Sequence, residues 1–283
     1  MREKIGIVVE GGGFRGIYTG GILDYFLEQE WHLPYVLGVS MGACNAANYI
    51  SKQKGRSIDI PYAYMDDPRY IGYKNMIFKG SLFGMEFIFD EIPNKLNVYD
   101  FKVAQQSNQV FKVGAMDVAT GQSTFFTINE LSKEDTLLAL KASCSLPLIS
   151  KMVRLQDKNY LDGGLTDSIP VKKAFEDGMD KVIVLLTREE GYIKEASNPR
   201  LFEWIYRKYP NVAKAIKVRH EKYNQEMDYI NSMVELGKVL PIYPKEPINL
   251  GRTEKNKEKL MQCYKDGYSR ARELHHLIAE FIQ

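Results

Sequence analysis

Cysteine and histidine are scarce in this chain of 283 residues. The cysteines are odd in number and lack the spacing of metal ligands, which argues against a disulfide framework or metal site and predicts reduced, mostly buried thiols. No histidine stands in a glycine-rich, loop-like setting, so we do not expect a catalytic imidazole. The order serine, aspartate, histidine of the α/β-hydrolases stays open only through the last three histidines. The cysteines are Cys44, Cys144 and Cys263, and the histidines are His32, His220, His275 and His276.

The chain also lacks a strong net charge and a long apolar run. Its formal net charge is +2 at pH 7, which argues against nucleic-acid binding as the main function. No apolar run approaches the ~20 residues that are needed to span a bilayer. Residues 1–4 lead directly into a predicted core strand, so the sequence shows no secretion signal. We therefore expect a cytoplasmic protein, with peripheral contact at the inner face of the membrane as an alternative location.

What the chain does contain is a regular alternation of apolar strands and helical stretches. This rhythm predicts an α/β fold with a mostly parallel central sheet. A length of 283 residues is enough for one large α/β domain with a compact C-terminal addition. The predicted strands are 4–9, 35–39, 110–118, 123–127, 151–156, 160–161 and 181–187, and the predicted helices of this part are 16–30, 41–52, 134–144 and 170–177.

The pentapeptide Gly38-Val39-Ser40-Met41-Gly42 lies between an apolar strand and a helical stretch. Glycines on either side of Ser40 allow a sharp turn that lifts the hydroxyl clear of the sheet, as a nucleophile elbow requires. The helix that follows directs free N–H groups and a positive dipole end toward an oxyanion forming there. Because glycine and serine are common turn residues, this pattern alone is weak evidence, and its meaning depends on the rest of the chain.

A second glycine-rich loop, Gly11 to Gly16, follows the first predicted strand and precedes a helix. Three consecutive glycines let several backbone N–H groups converge on one anion. The loop matches the dinucleotide fingerprint G-x-G-x-x-G, which needs an acidic residue at the end of the next strand. That strand ends at Ser40, so the dinucleotide interpretation fails at this point. An oxyanion hole requires only that the loop lie beside the nucleophile, which consecutive strands of a parallel sheet would achieve.

A third motif, Asp162-Gly163-Gly164, ends another predicted strand. A carboxylate held close to a serine hydroxyl in a dry environment can act as its base without an imidazole. The two glycines allow the close backbone approach that such a contact demands. This motif therefore supplies a candidate base for Ser40.

In this order, the three motifs resemble those of the patatin-like phospholipase family. The resemblance rests on Gly-Gly-Gly-x-Arg-Gly at 11–16, Gly-x-Ser-x-Gly at 38–42 and Asp-Gly-Gly at 162–164, and the stretch 142–147 supports it. It covers about residues 4–187 and implies a patatin-like three-layer α/β fold. It also implies a serine–aspartate dyad without a catalytic histidine, and no metal or organic cofactor.

The resemblance also implies a role for each site residue. Ser40 would be the nucleophile, and Asp162 the general base, of an acyl hydrolase that cleaves lipid carboxyl esters. The N–H groups of the glycine loop would bind the oxyanion, and Arg15 would help to hold that loop. The implied oxyanion hole comprises Gly11, Gly12, Gly13, Arg15 and Gly16, and the residues implied to support the elbow and the dyad are Gly38, Gly42, Gly163 and Gly164.

Two stretches outside the motifs carry further predictions. Residues 61–101 are dense in aromatic side chains and predict a helical subdomain that packs its own aromatics, with a cap and acyl-chain wall over Ser40 as the compatible functional interpretation. Residues 200–223 are basic and contain aromatics; a solvated helical face is the favoured interpretation, and contact with an anionic bilayer surface is the alternative.

The predicted organisation is a catalytic domain at 1–190, with 61–101 as an insertion, and a mainly helical C-terminal extension at 191–283. Within the extension, residues 251–283 are expected to form one helix whose apolar stripe docks on the core. Two other functions stay open at this point. The glycine loop could bind the phosphate of a nucleotide, or the chain could be a catalytically idle lipid-binding module.

Overall fold

The computed structural model describes residues 3–198, 200–251 and 254–283. Within these residues the chain forms one eight-stranded sheet. The strands are β1 (Ile5–Val9), β2 (Tyr35–Val39), β3 (Val110–Asp117), β4 (Ser123–Thr127), β5 (Val153–Leu155), β6 (Lys158–Asp162), β7 (Lys181–Leu185) and β8 (Val239–Ile242).

The middle of the sheet is parallel. The spatial order is β5-β6-β3-β2-β1-β7-β8, and β4 also pairs with β3. The strands from β3 to β8 in that order run parallel to their neighbours, whereas β4, β6 and β5 pair antiparallel. β1 and β2 are buried along their whole length, as expected for parallel strands that are covered on both faces. The prediction of an α/β fold with a mostly parallel central sheet is confirmed.

Helices cover both faces of the sheet and complete a three-layer arrangement. Alternate side chains of β1 enter different clusters, since Ile7 and Val9 join one apolar core and Val8 joins the other. The helices are α1 (Ile17–Glu28), α2 (Met41–Ile50), α3 (Arg56–Tyr64), α4 (Tyr73–Lys79), α5 (Phe101–Gln106), α6 (Lys133–Ser143), α7 (Val171–Glu176), α8 (Arg200–Ile205), α9 (Pro210–Glu235), α10 (Lys257–Glu273) and α11 (His275–Phe281).

The aromatic segment 61–101 is helical over much of its length. It contains the end of α3, then α4, and a π-helix at Phe87–Leu96. Its buried aromatic residues belong to the same core cluster as Ile7 and Val9, so they do not form a core of their own. Within the segment, Tyr64 contacts Phe87 and Tyr99 contacts Phe101, as expected, and the same helices also pack on the main domain.

The C-terminal part is integrated with the rest of the chain. β8 adds to β7 as a parallel strand, and α10 packs closely against α1. The expected single helix at 251–283 is wrong within the described residues. At Leu274 the backbone turns to φ −89° and ψ 10°, which ends α10 and redirects α11 so that Ile278 is fully buried. Residues 252–253 of that prediction lie outside the described residues, and the boundary between 190 and 191 stays a prediction.

Across residues 3–198, 200–251 and 254–283, no helix combines the length and the apolarity that crossing a bilayer requires.

Candidate active site

Ser40 stands at a strained turn between β2 and α2. Its φ of 55° and ψ of −128° lie in a region that residues with a side chain rarely adopt. A Cβ on Gly42 would overlap the carbonyl oxygen of Val9, and a Cβ on Gly38 would lie 2.6 Å from the Cα of Ala43. Both glycines are therefore required by close backbone packing, which forces the chain to turn sharply and present the serine side chain.

Strand register brings Ser40 and Asp162 together. Val39 pairs with Gly114, and Asp162 pairs with the next residue of β3, Ala115. The hydroxyl of Ser40, one residue beyond Val39, donates a hydrogen bond of 2.7 Å to Oδ2 of Asp162. The two side chains come from positions 122 residues apart, and the sheet places them in direct contact.

Asp162 is held by the backbone that follows it. Its Oδ1 accepts the N–H of Gly164 at 2.8 Å, and the residue is 2% exposed. A Cβ on Gly163 would overlap the carbonyl oxygen of Gly114, so this loop also approaches the sheet too closely for a side chain. One carboxylate oxygen is thus fixed by the loop, while the other faces the serine hydroxyl.

Ser143 links the backbone of Ser40 to β3. Its hydroxyl accepts the N–H of Ser40 at 2.7 Å and donates to the carbonyl oxygen of Gly114 at 2.6 Å. Ser143 is fully buried, so this bridge fixes the strained backbone against β3. The sequence signal for it was the stretch 142–147, which carried the resemblance but gave Ser143 no role.

The glycine loop lies beside Ser40, and its backbone N–H groups differ in their hydrogen bonding. The Cβ that Gly11 lacks would lie 3.2 Å from the Cβ of Ser40. The N–H of Gly11 donates to the carbonyl oxygen of Ser168 at 3.2 Å, which removes it from the expected oxyanion donors. Gly13, at φ 56°, begins a short 3-10 helix whose first N–H groups have no partner within the helix. Among the described residues, the N–H groups of Gly12 and Gly13 donate no hydrogen bond, so they stay candidate oxyanion donors.

Gly16 fastens this loop to the elbow helix. Its carbonyl oxygen accepts a hydrogen bond of 2.6 Å from Nδ2 of Asn45 in α2. A Cβ at Gly16 would lie 2.6 Å from Cγ of Met41, the residue directly after the nucleophile. The loop and the start of α2 therefore form one packed unit.

Glu10 precedes the glycine loop, and Arg15 lies within it. Glu10 is 2% exposed; its carboxylate accepts the N–H of Thr187 at 2.5 Å and the hydroxyl of Tyr223 at 3.1 Å. Burial and the neighbouring Arg188 lower the pKa of Arg15, whereas Glu10 acts in the opposite direction. Glu10 thus ties β1 to β7 and α9, a role that sequence analysis missed. A role for Arg15 in holding the loop stays a prediction.

The C-terminal part also reaches the Asp162 loop. Arg219 of α9 donates from Nε to the carbonyl oxygen of Gly164 at 2.5 Å, and the hydroxyl of Ser168 reaches the same oxygen at 3.1 Å. Gly164 in turn donates to Asp162, so α9 steadies the loop that orients the carboxylate. Nothing in the local sequence around Arg219 indicated this contact, because it depends on the packing of a helix 55 residues further along the chain.

A largely apolar cavity of about 180 Å³ opens at Ser40. The segment 61–101 supplies much of its wall, opposite residues of α2 and α6. Cys44 and Cys144 also line it, with their sulfur atoms 3.6 Å apart, and all three cysteines of the chain are free thiols. The contact with Cys44 and burial raise the pKa of the Cys144 thiol. The lining residues from the aromatic segment are Pro61, Tyr70, Phe83, Met85, Ile88, Phe89, Pro93 and Tyr99.

The histidines lie elsewhere. Nδ1 of His275 is 2.9 Å from the hydroxyl of Tyr25, and the ring of His32 lies 6.4 Å from that of Tyr49 at an angle of 46°. In the described part of the chain, no histidine is among the residues that line the cavity at Ser40, and no group of three or more His, Cys, Asp or Glu side chains is suited to hold a metal ion.

A known protein family matches the part of the chain that contains Ser40 and Asp162. The model of the patatin-like phospholipase family matches residues 7–175, more than half of the chain. The chain belongs to the patatin-like phospholipase family. Residues 209–283 match DUF6363, a domain of unknown function. Membership of the patatin-like family supports a lipid hydrolase activity.

Individual relatives of this patatin-like chain are distant. It is 25% identical over 252 residues to the uncharacterized protein YjjU of Escherichia coli K12, covering 87% of this chain and 70% of that protein. It is 22% identical over 190 residues to the probable lipid hydrolase 463L of Invertebrate iridescent virus 6, covering 60% of this chain and 63% of that protein. The crystal structure of VipD from Legionella pneumophila matches 97% of this chain and 67% of its own, at 11% identity and a TM-score of 0.49.

Proposed function

We propose that this protein is a serine acyl hydrolase that cleaves carboxyl esters of lipids through Ser40 and Asp162. The observation that carries the proposal is the hydrogen bond of 2.7 Å from the Ser40 hydroxyl to Oδ2 of Asp162, made at a strained turn that opens into an apolar cavity. Strain of this kind is retained where function requires it, at a cost of order 1–3 kcal/mol. A buried serine–carboxylate contact beside free backbone N–H groups is suited to acyl transfer.

The first chemical step forms an acyl-enzyme. As Oγ of Ser40 attacks the ester carbonyl, its proton passes to Oδ2 of Asp162, the atom to which it is already hydrogen-bonded. The negative charge that develops on the carbonyl oxygen is met by the N–H groups of Gly12 and Gly13 and by the positive end of the α2 dipole. The ester C–O bond then breaks, and the leaving alcohol takes the proton from Asp162.

The second step restores the enzyme. A water molecule gives a proton to Asp162 as its oxygen attacks the acyl carbon, and the same N–H groups bind the second oxyanion. Collapse of this intermediate releases the carboxylic acid and returns a proton to Oγ of Ser40. The loop bond from Gly164 to Oδ1 keeps the other carboxylate oxygen turned toward Ser40 during both steps. This scheme uses only side chains and backbone groups of the chain itself.

An acyl chain is the substrate part that best fits the cavity. The wall contributed by 61–101 consists of aromatic and aliphatic side chains, and apolar surface of this kind favours hydrocarbon over peptide or sugar. The relative from Invertebrate iridescent virus 6 bears the name of a lipid hydrolase, which favours the same substrate class. A nucleotide is less well supported, because β2 ends at Val39 and the next residue, Ser40, offers no carboxylate for a ribose.

Substitution of the dyad tests the proposal. Ser40→Ala and Asp162→Asn should each abolish hydrolysis of a soluble p-nitrophenyl ester without lowering the melting temperature by more than a few degrees. Alanine at each of the four histidines should retain most of the rate. Loss of about 10³-fold or more in one histidine variant, at an unchanged melting temperature, would show that the dyad assignment is wrong. A wild-type chain that hydrolyses no ester would favour the idle lipid-binding module.

A further inference from the structure

The short helix α4 exposes the side chains that a helix normally buries. Tyr73, Ile77 and Phe78 are 84%, 75% and 82% exposed, whereas the polar Asn75 is buried. The amide of Asn75 donates to the carbonyl oxygen of Pro68 at 2.9 Å, which fixes the polar side of the helix inward. Such a reversal of the usual pattern leaves a large apolar face toward the outside without a partner in the described chain.

A second helix shows the same exposure. In α8, Leu201, Trp204 and Ile205 are 56%, 70% and 42% exposed. Their spacing places them on one side of the helix, one turn apart. A tryptophan and branched aliphatic side chains on one helix face are typical of helices that lie in a membrane interface.

Both helices are attached to the same segment at the rim of the active-site cavity. The N–H of Leu82, just after α4, donates to the carbonyl oxygen of Ile149 at 2.8 Å. The N–H of Leu148 donates to the hydroxyl of Tyr206, just after α8, at 3.0 Å. Phe83 and Leu146, next to these bonds, line the cavity at Ser40. The two apolar faces therefore flank the chain that borders the substrate cavity.

The charge around these faces is positive. Lys74 lies within α4 and Arg200 begins α8, and both side chains are exposed. Arg207 and Lys208 follow α8, and Glu203 is the only acidic residue in the sequence of the two helices. Two copies of the chain that met through these faces would bring like charges together, whereas an anionic lipid surface would be attracted.

We propose that α4 and α8 together form a docking surface for an anionic phospholipid bilayer, placed so that a lipid can pass from the bilayer into the cavity at Ser40. Sequence analysis placed such a contact on the basic stretch 200–223. Part of that stretch belongs to α9, where Val212 and Ile216 are buried against the domain. We therefore assign the apolar contact with the bilayer to α8 and α4. The purpose of this docking surface rests on the proposed lipid hydrolase function, whereas the vesicle-binding test does not depend on it.

Flotation of the 283-residue chain with vesicles tests the docking surface without requiring turnover. The vesicles are phosphatidylcholine alone and phosphatidylcholine mixed with phosphatidylglycerol. The wild-type chain should bind the mixed vesicles, and added salt should weaken that binding. The triple variant Tyr73→Ser/Ile77→Ser/Phe78→Ser should bind them about tenfold or more weakly, because each serine removes a side chain that would enter the apolar boundary.

A matched control removes three exposed apolar side chains elsewhere. Ile193, Val234 and Leu236 are 73%, 39% and 63% exposed, and their triple replacement by serine should leave vesicle binding unchanged. For each variant, the rate on phospholipid vesicles divided by the rate on a soluble ester reports docking separately from chemistry. We expect this ratio to fall for the α4 variant and for the corresponding α8 variant Leu201→Ser/Trp204→Ser/Ile205→Ser, and to stay constant for the control.

Three results would overturn the proposal: absence of wild-type binding to mixed vesicles, equal binding by the α4 variant, or an equal loss in the control. A wild-type dimer that becomes a monomer in the α4 variant, with unchanged vesicle binding, would assign the surface to a second copy and also overturn it. If the wild-type chain floats through α4 but hydrolyses no ester, the docking surface stands and the proposed function fails. If it hydrolyses a soluble ester and does not float, the docking surface fails alone.

Discussion

Ser40 is held in its unusual conformation by neighbours that come from three directions. Gly42 packs on the end of β1, Gly38 packs on the start of α2, and Ser143 bonds to the backbone N–H of Ser40 from below. The conformational cost at Ser40 is of order 1–3 kcal/mol. The packing of Gly38 and Gly42 and the hydrogen bond from Ser40 to Ser143 offset this cost, and a larger residue at either glycine would disturb the packing. At the residue scale, the proposed nucleophile and the strained backbone coincide at one position.

The motifs predicted that Ser40 and Asp162 act as a pair, and the two side chains are in contact, but the motifs did not predict the whole set of residues around them. Glycine and serine patterns report backbone shape, so they indicated the elbow and the close approach of the loops. Three contacts depend on the packing of distant segments. They are the hydrogen bond from the Gly11 N–H to Ser168, the bridge through Ser143 and the hydrogen bond from Arg219 to Gly164. Such contacts leave no periodic signal in one sequence.

The glycine loop gives a prediction at this scale. In Gly12→Ala, the new Cβ would lie 2.6 Å from Oγ1 of Thr187, which is itself hydrogen-bonded to Glu10 and cannot easily move. The loop must therefore shift, and its backbone N–H groups would no longer point at the oxyanion of the transition state. We expect kcat to fall about 10²-fold or more. Steady-state kinetics with a soluble ester measure this; Gly251→Ala, where a Cβ meets no atom within 4 Å, is the control. A Gly12→Ala protein with wild-type kcat would show that the loop does not bind the oxyanion.

At the scale of elements, the alternating strands and helices of the first 190 residues were predictable because their periodicities are strong. β2 occupies residues 35–39 as predicted, and α6 differs from the predicted 134–144 by one residue at each end. The C-terminal part was less predictable. β8 is only four residues long, and its place beside β7 depends on a pairing across more than fifty residues. The break at Leu274 is likewise set by packing, not by proline or glycine.

Contact between α1 and α10 depends on two glycines. A Cβ on Gly21 would overlap the carbonyl oxygen of Tyr264, and a Cβ on Gly267 would overlap that of Tyr18. Because both obstacles are backbone atoms, the helices would have to separate. Gly21→Ala and Gly267→Ala should each lower the free energy of unfolding by about 1–3 kcal/mol or more. Denaturant unfolding measures this, with Gly251→Ala expected within about 0.5 kcal/mol of wild type. Wild-type stability in both helix variants would contradict the tight packing of these two helices.

At the scale of the whole molecule, the sheet aligns three parts of the chain on one cavity. Ser40 follows β2 and is the proposed nucleophile, Asp162 ends β6 and supplies the carboxylate bonded to it, and the segment 61–101 supplies much of the apolar wall. The sequence predicted each part separately. It did not predict that the aromatics of 61–101 join the main core, because density of aromatic residues does not reveal what they pack against.

The cavity gives a prediction about substrate length. For p-nitrophenyl esters, kcat/KM should rise from acetate toward medium chains, by roughly fourfold for each methylene that becomes buried. The rise should stop when the cavity is full. Ile88 lines the cavity, so Ile88→Trp should move the optimum to shorter chains while the acetate rate changes least. A strict preference for acetate in the wild-type chain would leave an esterase and remove the lipid assignment.

Labelling with a fluorophosphonate, followed by peptide mapping, tests the central claim most directly. The reagent forms a stable bond only with a serine that is activated as a nucleophile, so it reports chemistry without requiring the natural substrate. The account predicts one label on Ser40, no label in Ser40→Ala, and labelling slowed by orders of magnitude in Asp162→Asn. It would be contradicted by a label on another residue, or by labelling of Ser40 at the wild-type rate when Asp162 is replaced.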